Sequence, residues 1–303
     1  MPGMHVTLRQ LQVFEAVARL GSFSRAGEEI HVTQPAVSKQ IRQLQEEVGM
    51  PLLEQVGRKV CLTDAGRELL AACSEWLDTW NRFEQSIADM KGLKQGRLRI
   101  AVVTTAKYFM PRVLGPFCTE YPGIDVTLEV INRNRLLERL GHNEDDLYVM
   151  GVPPDGWEIE SQPLMENNLV VIAPRGHRLA ARRRIPFAKL AAETFIAREE
   201  GSGTRMTVER VFAERGVHFR VRMELGSNEA IKQAVAGGLG LAVLSQNTLG
   251  DLAAEELAVL DVTGFPVRRS WYVVWPRGKQ LSVVAGTFVD FLHEHAALLK
   301  PRA

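Results

Sequence analysis

Gln34, Ser38, Arg42 and Gln45 recur at intervals of four, four and three residues, with Lys39 beside them. Such intervals place side chains on one face of a helix. Amides and guanidinium groups pair with purine edges in the major groove of DNA, and hydroxyls and cations hold phosphates. A second constellation, Gly201-Ser202-Gly203-Thr204-Arg205, carries different chemistry. Glycines admit close backbone approach, the free N–H groups of a helix start attract anions, and Arg205 can add a charge-assisted hydrogen bond. A third series is apolar. Leu69, Cys73, Trp76, Trp80, Phe83, Ile87 and Met90 alternate by four and three residues, the a/d seam of a helix that pairs with a second chain.

The first constellation needs a short helical domain. The spacing of Leu11, Phe14 and Ala18 predicts a helix over 8–20, stopped by Gly21. A second short helix puts Phe23, Ala26 and Ile30 inward. His31 and Val32 break the chain, and a third helix runs from Gln34 to about Val48, with Thr33 as its cap, Pro35 in its first turn and Gly49 at its end. Val37, Ile41, Leu44 and Val48 form its buried face, opposite the polar one. This is the helix-turn-helix plan. Pro51 to Leu62 reads as a hairpin around Gly57-Arg58-Lys59, a wing for the sugar-phosphate backbone. Thr63-Asp64 opens a long helix to about Lys91, which carries the apolar seam; at its seam position Cys73 reads as packing rather than as a redox sensor. Residues 91–96 read as a hinge.

The anion constellation needs strands that end where helices begin. From Arg97 the pattern alternates. Strands are expected at 98–103, 124–131, 146–151, 169–173, 194–197, 220–225, 240–245 and 270–275. Helices are expected near 107–117, 133–140, 204–215, 228–236 and 281–295. Such β-α units imply two α/β lobes, whose ligands lie beyond the carboxyl ends of the strands. Thr104 and Thr105 sit at such a junction in the first lobe and Ser202, Gly203, Thr204 and Arg205 at the equivalent one in the second. Lys107, Asn132 and Asn228 could add charge and polar contacts. Helix capping by Thr105, Ser202 and Asn228 would explain those three without any ligand. Gly27, inside the second helix, should cost ~1 kcal/mol of helix propensity. Arg182-Arg183-Arg184 reads most simply as a solvated loop.

Composition narrows the classes. A chain of 303 residues, 46% hydrophobic and 24% charged, suits two or three globular domains. No stretch reaches the ~20 apolar residues that cross a bilayer, and Met1 to Gln10 lacks a secretory pattern. Three scattered cysteines fit neither a disulfide framework nor a zinc site, and no histidine pair has ligand spacing; a cytoplasmic protein with no metal is expected. Net charge is +1, and residues 1–63 carry Arg9, Arg19, Arg25, Lys39, Arg42, Arg58 and Lys59 against Glu15, Glu28, Glu29, Glu46, Glu47 and Glu54. A globally basic nucleic-acid coat is excluded; a local DNA reader is not.

The segments LRQLQVFEAVARLGSFSRAGEEIHVTQPAVSKQIRQLQEEVG, PLLEQVGRK and LTDAGREL resemble the winged helix-turn-helix of LysR-type transcriptional regulators. The resemblance extends over nearly the whole chain. TTAKYFMPRVLG, DDLYVMG, GSGTR and VRMELGSNEAIKQAVAGGLGLAVLS resemble the CbbR branch, regulators of Calvin-cycle and Rubisco operons. It implies an N-terminal all-α winged helix-turn-helix over 1–63, a linker and dimerisation helix over 64–91, a hinge over 92–96, and a C-terminal two-lobed α/β effector domain resembling periplasmic binding proteins. Lobe I would take 97–163 and 269–303, and lobe II 164–268. It further implies that Thr33, Gln34, Pro35, Ser38, Lys39 and Arg42 face DNA, with Arg58 at the wing. The implied assembly is a homodimer on two half-sites of double-stranded DNA, doubled into a dimer of dimers, with RNA polymerase as a candidate further partner. The implied function is an activator of carbon dioxide fixation genes that uses no cofactor and answers a small anionic metabolite, a phosphorylated sugar or NADPH. A LysR-type regulator of another operon stands as the alternative. An enzyme with a phosphate site at GSGTR is opposed by the lack of a nucleophile elbow, a Walker lysine or clustered metal ligands. A solute-binding protein would fit the lobes but not the fused helix-turn-helix.

Overall fold

The computed structural model describes residues 5–56, 59–90, 95–250, 256–295 and 299. The chain divides into two compact units, the first spanning Met1–Ile87 with His142–Glu144 and the second the remainder.

In the first unit, α1 (Leu8–Leu20) and α3 (Gln34–Val48) have the expected bounds, and α2 (Phe23–Glu29) is the expected short helix between them. A capping box formed by Thr7 and Gln10 starts α1, and left-handed Gly21 and Gly49 close α1 and α3. Thr33 stands before α3, but its hydroxyl makes no capping bond, contrary to expectation. Gly27 has a reason beyond propensity: a Cβ there would stand 2.7 Å from the Val32 carbonyl, in the turn that sets α3 against α2. Val13, Phe14, Val17, Ala26, Val37, Ile41 and Leu44 make the core. The hairpin β1 (Leu53–Val56) and β2 (Lys59–Leu62) pairs in antiparallel register. The helix α4 (Asp64–Met90) begins where the Thr63 hydroxyl accepts from the Gly66 N–H at 3.1 Å.

The second unit holds two sheets of matching strand order. The first comprises β3 (Gln95–Val103), β4 (Gly123–Ile131), β5 (Leu147–Met150), β6 (Ile159–Glu166) and β12 (Ser270–Pro276), ordered β4-β3-β5-β12-β6. Leu98, Ile100 and Val102 face α5 (Met110–Glu120) and α9 (Val283–Glu294); Ala101 faces α6 (Arg133–Gly141). The second sheet comprises β7 (Leu169–Pro174), β8 (Phe195–Arg198), β9 (Val221–Leu225), β10 (Ala242–Ser245) and β11 (Leu257–Val259). The Phe195–Leu241 bridge joins its two ladders in the order β9-β8-β10-β7-β11. Helices α7 (Gly203–Glu214) and α8 (Asn228–Ala236) flank it. The strands LYVM, FIAR and AVLS are fully buried, as expected of strands covered by helices on both faces.

Two boundaries differ from expectation. Strand β6 carries lobe I to Glu166, which pairs with Ser270, so the division falls near Asn167 rather than at 163. Gln95 and Gly96, expected in the hinge, already pair in β3; the rest of the hinge, 92–94, lies outside the described residues. Both β6 and β11 escaped the periodicity reading. Strand β6 is an edge strand with Pro163 and three glutamate or glutamine positions, and β11 is three residues long.

Candidate functional site

The carboxyl ends of β3, β5 and β8 and the start of α7 meet in a narrow cleft, partly open to solvent. Five of the nine expected residues line it: Thr104, Thr105, Ser202, Gly203 and Thr204. Neither Thr105 nor Ser202 caps the helical turn it precedes, so capping does not account for them. The start of α7 thus has no side-chain cap, and its first residues, Gly203 and Thr204, line the cleft. Gly201 is left-handed at φ +77°, and a Cβ there would stand 2.2 Å from Asn134 Nδ2 across the lobes. The glycines thus admit the facing lobe itself.

The cations of the cleft are Arg133, Arg198 and Arg269, none of which was expected there. Arg198, 4% exposed, ends β8; it pairs with Glu199 at 2.7 Å and donates to Thr104 Oγ1 and Asn228 Oδ1, each at 2.9 Å. Arg269 precedes β12 at the crossover, and among the described residues its hydrogen-bond partners are all neutral: the Asn167 and Gly203 carbonyls and the Thr204 and Thr207 hydroxyls, at 3.1–3.2 Å. Burial, and then the positive Arg198 nearby, push Arg269 down to about 9, so it stays charged at neutral pH. Arg133 opens α6 and, among the described residues, donates only to the Val152 carbonyl, at 3.2–3.3 Å; burial lowers it too, against the opposing pull of Asp155. Asn167 Nδ2 and Trp271 Nε1, both on cleft-lining residues, are buried donors with no partner among the described residues. Positive charge, uncapped amides and orphaned donors together make a seat for an anion.

Four expected residues point elsewhere. Arg205 turns away, bonding Glu209 and the Arg198 carbonyl and stacking over Phe219. Lys107 pairs with Glu229 at 3.0 Å. Asn132 Oδ1 accepts from the Arg135 N–H, starting α6. Asn228 is buried behind Arg198 rather than in the cleft, and the cap of α8 is Ser227.

On α3, Thr33, Gln34, Pro35, Lys39 and Arg42 are exposed and Ser38 is half-buried. No side-chain hydrogen bond or ion pair engages Lys39 or Arg42 among the described residues. Other cations nearby are occupied: Arg19 pairs with Glu15 and Glu29, and Arg9 donates to the Ile30 carbonyl at 3.1 Å. Gln45 leaves the expected reading face, because its side-chain oxygen accepts from the Leu52 and Leu53 amides at 2.9 and 3.2 Å and fixes the wing. Arg58 lies outside the described residues.

The apolar seam divides. Cys73 is 1% exposed within the core of its own unit, and Leu69 packs against that core. Closing the winged domain therefore uses both inside one chain, which corrects their expected place in a dimer seam. Burial, then Glu15, pushes the Cys73 thiol up to about 12, which makes it unreactive. Trp76 and Phe83, at 61% and 54%, are exposed, Trp80 is 40% exposed, and Ile87 is half-buried. The Met90 side chain lies outside the described residues.

Residues 8–67 match the bacterial regulatory helix-turn-helix of the lysR family, and residues 91–297 match the LysR substrate binding domain. The chain belongs to the LysR family. It is a DNA-binding transcriptional regulator, not an enzyme. This LysR regulator is 50% identical over 295 residues to the transcriptional activator CmpR of Synechocystis sp., covering 96% of each chain. It is 49% identical over 294 residues to the RuBisCO operon transcriptional regulator of Acidithiobacillus ferrooxidans, covering 97% of this chain and 95% of that one. Among solved structures, the regulatory domain of Synechocystis PCC6803 CcmR in complex with 2-PG is similar at a TM-score of 0.65 and 53% identity, over 67% of this chain and 98% of that one. Full-length OxyR of Pseudomonas aeruginosa shares the fold at a TM-score of 0.78 and 22% identity, over 98% and 97% of the two chains. Among the described residues of this LysR regulator, no helix is long and apolar enough to cross a membrane.

Sequence reasoning missed the three cleft arginines, although two stood in plain positions. Arg198 directly follows the strand predicted at 194–197 and Arg133 opens a predicted helix, the places where doubly wound lobes hold ligands. Arg269 carried no such signal, because its place depends on the return crossover.

Proposed function

We propose that this LysR regulator controls carbon dioxide fixation genes in answer to a small phosphorylated carboxylate bound between its effector lobes. The observation that carries the proposal is the cleft: three arginines, of which only Arg198 is ion-paired among the described residues, with the uncapped start of α7 and two orphaned donors. Arginine forks suit carboxylate and phosphate alike, and the α7 amides with Ser202 suit the oxygens of one anionic end. The bound 2-PG (2-phosphoglycolate) of the CcmR domain has this chemistry, and relatives named for CmpR and the RuBisCO operon supply the gene class.

In this reading α3 reads the major groove through Gln34, Ser38 and Arg42, with Thr33, Pro35 and Lys39 near the backbone and Arg58 at the wing. Trp76, Trp80, Phe83 and Ile87 of α4 pair two chains, since a two-fold protein matches two half-sites; such dimers pair further into tetramers. RNA polymerase is engaged by the DNA-bound form, in the cytoplasm. Calorimetric titration tests the effector class. Saturable binding of 2-PG to the intact protein, weakened by excess inorganic phosphate, is the expected result. No heat with 2-PG, or equal heat with an uncharged diol, contradicts it. Gel shift with the promoter of a carbon-fixation operon against an unrelated promoter tests the gene class.

A further inference from the structure

Outside the anion cleft, one carboxylate joins the two lobes. Glu229 lies in the first turn of α8, in lobe II. Its Oε2 accepts from Lys107 Nζ and from Ser227 Oγ, each at 3.0 Å, and its Oε1 accepts from the Tyr108 hydroxyl. Lys107 and Tyr108 belong to the turn that follows β3 in lobe I. None of the three lines the cleft. Each is tied to it through a neighbour. Asn228, beside Glu229, holds Arg198 at 2.9 Å, and Arg198 in turn holds Thr104, at the head of the turn that carries Lys107 and Tyr108. The contacts make a ring: the 104–108 turn, Arg198, Asn228, Glu229 and back to the turn. Parting the lobes breaks it at two places, one in the cleft and one outside it.

We infer that Glu229, with Lys107 and Tyr108, is a latch that holds the effector lobes closed and thereby sets effector affinity without touching the effector. Affinity for a ligand that needs the closed arrangement scales with the fraction of molecules already closed. The two bonds that cross the lobes, from Lys107 and from the Tyr108 hydroxyl, add to that fraction. Burial pushes Glu229 up, but the bonds from Tyr108, Lys107, its own backbone and Ser227 outweigh it and hold the group down at about 2, so the latch is charged at neutral pH. The side chains of Lys107 and Glu229 are 39% and 49% exposed, so solvent screens the pair and the bias is moderate.

The test uses the intact protein and the variants Glu229→Gln, Tyr108→Phe and the double variant. Amide hydrogen exchange without ligand reads the latch itself. Titration with 2-PG reads its effect on affinity and rests on the anion reading above. The expected result is faster exchange over 104–108 and 228–236 in each single variant, with exchange in β7 unchanged. A loss of 2-PG affinity of about three- to tenfold should accompany it. The double variant should be no worse than the stronger single one, because both break one unit. Glu209→Gln, which removes the Arg205 pair outside the cleft, should change neither readout. Unchanged exchange in Glu229→Gln, or additive losses in the double variant, overturns the latch. If the unaltered protein fails to bind 2-PG, the effector reading falls while the exchange comparison still decides the latch.

Discussion

Arg133 is the side chain on which the effector reading is most exposed to test. Among the described residues it donates only to one carbonyl and hydrogen-bonds no carboxylate, so a bound anion would give it a charged hydrogen-bond partner. A hydrogen bond to a charged group contributes about 1.5–3 kcal/mol, so Arg133→Gln should weaken 2-PG binding by about 10- to 150-fold. The melting temperature without ligand should move little, and thermal shift with and without 2-PG reads both. Arg205 makes the contrast. Its motif was legible in the sequence, but the helical turn swings it toward Glu209 and Phe219, so Arg205→Ala should leave 2-PG affinity within about twofold in the same titration. Spacing told which loop forms the site; it could not tell which guanidinium enters, because that depends on the return crossover and on neighbouring carboxylates. On α3, Arg42→Ala should weaken operator binding by about 10-fold at fixed salt, while Lys39→Ala should reduce the salt slope by about one. Fluorescence anisotropy over a salt series separates the two.

At the scale of elements, helices were read best where a glycine stop and an apolar stripe agreed, as in α1 and α3. Two of the four edge strands, β6 and β11, escaped: β6 is largely polar, with Pro163 inside it, and β11 is only three residues long, whereas the edge strands β4 and β9 were read nearly to the residue. The helix α4 shows a different limit. One unbroken four-three spacing serves two purposes, closing the winged domain through Leu69 and Cys73 and presenting Trp76 and Phe83 outward. Spacing cannot assign a buried face to one chain or another. Trp76→Ser should therefore shift the intact protein toward monomer in sedimentation at micromolar concentration, without lowering its helix content. The loss of a large aromatic contact corresponds to at least a 10-fold weaker association. Gly66 fixes how α4 leaves the wing, since a Cβ there would stand 2.0 Å from the Leu52 carbonyl. Gly66→Ala should destabilise the winged unit by about 1–3 kcal/mol, read as an earlier first transition in denaturant, with the effector unit's transition unmoved.

For the whole molecule, the division into a DNA-reading unit and a two-lobed unit was visible in the change from helical to β-α periodicity at about residue 97. The repetition of one strand order in both lobes was not, because it depends on β12 returning to lobe I from beyond lobe II. That return places Arg269 between the lobes and makes their closure a property an anion can bias. A ligand shifts such an equilibrium only by its differential affinity for the two arrangements, and the same coupling must reach DNA if the protein is a switch. The most direct measurement is operator affinity of the intact protein at fixed salt, with and without 2-PG, beside Arg133→Gln. The account predicts an affinity or footprint that changes with 2-PG in the unaltered protein, and an Arg133→Gln protein that binds the same DNA equally well yet ignores 2-PG. Identical DNA binding with and without 2-PG, or an Arg133→Gln variant that still responds, would contradict it.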